Sequence, residues 1–126
     1  MVINDERTKV ETTVTRKTAV LIAVDQLIDF MNAASKKYYE EKFPSLNADT
    51  FELVGGRKYL KIAQVSQPHG GRSVHCFVDA ETGGVYKSAG WKAPALNGER
   101  YNLLDAGSLE ELHTRWDPNT SYLYKR

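Results

Sequence analysis

At 126 residues, 41% hydrophobic and 26% charged, the chain has the size and composition of one globular domain, spanning 1–126, and is neither membrane-embedded nor disordered. Its longest apolar run, Ala19 to Val24, ends at Asp25, far short of a membrane span, and Asp5, Glu6 and Glu11 stand where a signal peptide would be basic. The formal charge is only +1, yet residues 57–101 carry seven basic against three acidic side chains, a local excess suited to an anionic partner.

Residues 1–13 are polar, rich in Thr and charge, and lack a clear period, so they read as a loose arm or at most one edge strand. From about Thr18 the pattern becomes helical. Val20, Val24, Leu27, Met31, Ala34 and Tyr38 recur at steps of three and four along one face, with Thr15 or Thr18 as N-cap and Pro44 beyond the end. Leu21, Ile22 and Ile28 widen the apolar surface, which predicts cover on more than one side. Burial within the monomer is favoured over a helix-mediated dimer, because one long helix must cover a sheet.

Strands follow at 51–54, 58–65, 73–78 and 85–87, separated by Gly55-Gly56, by the turn-rich 67–71 and by 79–84. The last pair forms a hairpin. Asp79 can accept from the amides after it, and Gly83 or Gly84 can take the positive φ that closes the loop. Strict alternation puts Leu60, Ile62, Val74, Cys76, Val78 and Val85 on one apolar face, where the helix docks, and Tyr59, Lys61, Ala63, His75, Phe77 and Tyr86 on the other. Residues 90–98 are irregular around Trp91. Ser108 to Trp116 reads as a short helix with Ser108 as cap and Glu111 at the capping-box position, and Tyr122 to Tyr124 either pairs at a sheet edge or folds back on the core.

The fold class is therefore α+β: an antiparallel three- to four-stranded meander packed against one long N-terminal helix, with a short C-terminal helix. The lone Cys76 agrees with a reducing, cytoplasmic setting. There is no phosphate loop, nucleophile elbow or zincin motif, and the glycine pairs lack dinucleotide-binding spacing. Adjacent strand residues His75 and Cys76 point to opposite faces and cannot share a metal ion. Ser73 beside His75 on one face is a pairing that chance produces often. The expectation is a non-enzymatic protein without metal or cofactor.

The functional candidate is the aromatic and basic surface of Tyr59, Lys61, His75, Phe77 and Tyr86, extended by Lys87, Trp91, Lys92, Arg100 and Tyr101. Rings on an open sheet face stack on bases while Lys and Arg track phosphates, which predicts binding of single-stranded nucleic acid. The same rings can instead form a second core beneath residues 91–104, and exposed aromatics can equally anchor a protein partner.

The stretches Ser73 to Lys87, Ala89-Gly-Trp-Lys-Ala-Pro-Ala95 and Arg100-Tyr-Asn-Leu-Leu104 together resemble a group of small uncharacterised proteins of tailed bacteriophages. That resemblance implies a bacterial cytoplasm during infection and makes a host protein the alternative partner, but implies no activity for any residue.

Overall fold

A computed structural model describes residues 5–124 of the chain, with side chains from Thr15 onward. Helix α1 spans Asp5–Lys42 and is followed by strands β1 (Thr50–Leu53), β2 (Tyr59–Val65), β3 (Arg72–Asp79), β4 (Gly84–Tyr86) and β5 (Tyr101–Asn102). Helix α2 (Ala106–Arg115) and a 3₁₀ turn (Ser121–Tyr124) complete it. The α+β class holds, with five strands in place of three or four. They form one antiparallel meander in the order β1-β2-β3-β4-β5, the fifth strand being a two-residue piece too short to show a period.

Helix α1 starts well upstream of Thr18, over residues expected to form an arm or edge strand; residues 1–4 lie outside the described residues. No Gly or Pro occurs between Asp5 and Lys42, so a helix nucleated by the packed segment propagates at little cost through the Thr-rich stretch. It crosses the sheet from the β3–β4 turn, where Lys17 Nζ is 3.7 Å from Glu81, to the β1 edge.

Val20, Val24, Leu27 and Met31 are buried against Leu60, Ile62, Cys76, Val78 and Val85, and each such side chain contributes about 1.5–3 kcal/mol by leaving water. The stripe then continues through Ser35, whose hydroxyl donates to the Asp49 carbonyl, while Ala34 and Tyr38 are half-buried. Leu21 and Ile22 are not covered as expected: they are 49% and 54% exposed, because each step along a helix rotates the side chain by about 100° and the sheet covers only one stripe.

A β-bulge corrects the strand reading. Ile62 pairs with Cys76 but Ala63 pairs with Val74, so His75 has no partner in the ladder and the alternation of β3 is broken there. His75 consequently turns into the core and Val74, expected inside, is only half-buried.

The hairpin forms as its residues predict. Asp79 Oδ1 accepts from the amides of Glu81 (2.8 Å) and Thr82 (3.0 Å), and Gly83 takes φ 78°. Helix α2 begins earlier than expected, because Asp105 and not Ser108 is its N-cap, accepting from Ser108 N–H at 3.0 Å. The Ser108 hydroxyl is used elsewhere, accepting from Asn102 N–H at 2.8 Å along the free edge of β5. The C-terminal turn folds back, burying Tyr122 and Leu123 on the same side of the sheet as α1.

Candidate functional site

The two sides of the sheet differ in kind. On the helix side lies the core, with a buried polar chain through its middle. Gln64 Nε2 donates to Asp49 Oδ2 at 2.8 Å, so the Gln64 carbonyl oxygen must face His75 Nδ1, 3.0 Å away. His75 therefore carries its proton on Nδ1, and its Nε2 accepts from the Tyr122 hydroxyl at 2.6 Å. Burial lowers the His75 pKa to about 3, partly opposed by Asp117, and raises that of Tyr122 well above its usual value. Both are thus neutral at physiological pH. The neighbouring Cys76 thiol is pushed up to about 12 by burial alone.

On the outer side, Lys61 is paired with Phe77 and Phe77 with Tyr86, a lateral row across β2, β3 and β4. Tyr59 meets Tyr86 edge-to-face with centroids 5.9 Å apart. After β4 the chain turns back on itself: Ala95 N–H donates to Lys87 C=O at 2.7 Å and Ala89 N–H to Ala93 C=O at 3.0 Å. That loop brings Trp91 to the outer face, where Lys61 Nζ lies 3.9 Å from the Trp91 ring centroid and 5.9 Å from that of Phe77. Phe77 is 2% exposed and acts as floor; Trp91 remains 44% exposed.

Between this loop and the β1–β2 turn runs a depression of about 410 Å³, lined by residues 54–58 with Tyr59, Lys61, Phe77, Lys92 and Pro94. Its wall depends on Gly56. At φ 139° a Cβ there would lie 1.9 Å from the Tyr59 carbonyl oxygen, so only glycine permits the turn that carries Arg57 and Lys58. Four lining residues, Arg57, Lys58, Lys61 and Lys92, are cationic and none is acidic. Lys58 Nζ also lies 5.5 Å from the Tyr59 ring centroid.

Of the expected surface, Tyr59, Lys61, Phe77 and Lys92 line this groove, with Tyr86 and Trp91 in contact with its residues. His75 and Tyr101 are in the core instead: the bulge turns the first inward, and the second donates from its hydroxyl to Tyr122 C=O at 2.9 Å. Lys87 lies over Tyr124, 4.4 Å from its centroid, and Arg100 donates to Asn97 at 3.2 Å; neither lines the groove. Arg57 and Lys58 are the additions. Their signal was two cations directly after a glycine pair, at the start of the strand that presents Tyr59 and Lys61.

Ser73 is exposed whereas His75 is buried with both ring nitrogens engaged. No group of three or more His, Cys, Asp or Glu side chains converges among the described residues. Nor, among them, is any helix long and apolar enough to cross a membrane.

The model of a family of unknown function (DUF7717) matches residues 2–125. No curated protein and no solved structure matches the chain.

Proposed function

The chain belongs to the DUF7717 family of unknown function, and we propose, from its own surface, that it is a non-enzymatic protein that binds single-stranded nucleic acid in the groove between the β1–β2 turn and the Trp91 loop. The observation that carries this reading is the groove's composition: four cations, no carboxylate, and aromatic rings at its floor and rim. Phosphates meet Arg57, Lys58, Lys61 and Lys92, and bases meet ring faces. A strand with unstacked bases suits such a site better than a duplex, whose bases present only edges. The setting is a bacterial cytoplasm during phage infection, supported by the resemblance of residues 73–104 to tailed-phage proteins.

Binding driven by these cations follows counterion release. With four phosphate contacts, the slope of log K against log salt is expected at about −3 for a single strand, and Arg57→Ala lowers its magnitude by about 0.7. The measurement is fluorescence anisotropy of a labelled oligothymidylate across a salt series. No binding at low salt, together with retention of a protein from nuclease-treated bacterial lysate, replaces this reading with a host-protein partner.

A further inference from the structure

We infer that Trp91 is the seat on which a base stacks and that Lys61 occupies its face until a phosphate draws the ammonium away, which couples backbone binding to base stacking. This rests on the nucleic-acid reading of the groove and assigns roles within it.

Three rings stand near the groove's cations, and two are poorly placed to receive a base. Phe77 is buried beneath the loop, and Tyr59 is half-buried, its ring engaged with Tyr86 and Lys58. Trp91 offers the exposed ring, at the tip of a loop held by two backbone hydrogen bonds. One of its faces is already taken by Lys61, whose ammonium at 3.9 Å is well inside the reach of a cation–ring attraction.

That contact is a weak resting place. A ring face supplies no lone pair, so the three N–H donors of Lys61 gain less there than from a phosphate oxygen, which forms charge-assisted hydrogen bonds. The four-carbon stem lets the ammonium swing while its Cα stays fixed in β2. A strand entering the groove therefore gives Lys61 a better partner and leaves the ring open beside it. A nucleoside without phosphate has no such lever and must compete with the ammonium.

The test compares a short oligothymidylate with an abasic strand of equal phosphate count, by anisotropy at low salt. One stacked base makes the first bind at least about fivefold tighter to the native chain. Trp91→Ala is expected to abolish that preference with little change for the abasic strand. Lys61→Ala is expected to weaken both strands alike and leave that preference unchanged, because their phosphates have already drawn the ammonium off the ring, but to tighten thymidine, which has no phosphate, by about two- to fivefold as read by quenching of tryptophan fluorescence. Lys61→Gln, which keeps a polar side chain on β2 without the charge, is expected to tighten thymidine by a similar factor.

Thymidine bound no more tightly by either Lys61 variant than by the native chain, or a strand preference that widens in both, leaves nucleic-acid binding standing and overturns the coupling. Loss of neither preference nor affinity in Trp91→Ala overturns the assignment of the seat. If the native chain binds neither strand, the reading of the groove falls and the inference with it.

Discussion

The Tyr122 hydroxyl, from the C-terminal turn, donates to His75 Nε2 at 2.6 Å inside the core, 47 residues away in sequence, and so ties the end of the chain to the middle strand of the sheet. The acceptor has been brought inward only by the bulge at Ile62/Ala63. Removing the donor leaves a buried nitrogen lone pair without a partner, which costs about 1–3 kcal/mol. Tyr122→Phe is therefore expected to lower the unfolding free energy by that much, read as a lower urea midpoint with an unchanged m-value. Tyr124→Phe, at an exposed ring, serves as the control and is expected within about 0.5 kcal/mol of native.

The same histidine makes stability depend on pH. Its pKa is about 3 in the folded chain against 6.5 in the unfolded one, so between these values the unfolded state holds the extra proton. Stability is full above 6.5 and is lost as pH falls toward 3, at up to about 1.4 kcal/mol per unit. His75→Gln removes this component while the carboxylates continue to titrate. The stability gap between native and variant should thus narrow on going from neutral to acid pH, as read by urea unfolding at each pH. A gap that stays constant would show that His75 titrates alike in both states.

What the sequence made legible follows from how local each signal is. The helix face at Val20, Val24, Leu27 and Met31 and the Asp79 to Gly83 loop are set by spacing and by residues close in sequence, and both form as read. The bulge was hidden because it is a property of two strands in register, and nothing at His75 itself announces it. That one insertion moved His75 from the supposed binding face into the core. Tyr101 was misplaced for a related reason, since β5 has only two residues. Within the groove, the β2 residues Tyr59 and Lys61 were found by alternation, whereas Arg57 and Lys58 sit in a turn, where alternation does not apply.

Both edges of the sheet are closed by side chains, which gives a further prediction. Asn32 on α1 accepts from Phe51 N–H at 2.7 Å and donates to Phe51 C=O at 3.2 Å, acting as a one-residue strand against β1. Ser108 covers Asn102 N–H of β5 in the same manner. Unpaired edges recruit other chains. Asn32→Ala is expected to cost about 1–3 kcal/mol, to speed hydrogen exchange at the Phe51 amide, and to promote association at high concentration. Exchange at Phe51 unchanged from native would show that the amide pair does not protect this edge.

Gly56 links folding to the groove and separates two kinds of glycine. Gly55 and Gly70 also have positive φ, at 65° and 75°, but an added Cβ meets nothing within 4 Å at either. Substituting Ala there costs only the left-handed conformation, about 1 kcal/mol. At Gly56 the same methyl meets the Tyr59 carbonyl at 1.9 Å, and backbone has to move. The segment that must shift is the one carrying Arg57, Lys58 and Tyr59. Gly56→Ala is therefore expected to destabilise more than Gly55→Ala and also to weaken oligothymidylate binding, whereas Gly70→Ala, in the β2–β3 turn away from the groove, changes stability alone. Thermal unfolding and anisotropy on the three variants check this. Equal binding by all three would mean that the shape of the β1–β2 turn does not govern where Arg57 and Lys58 meet the strand.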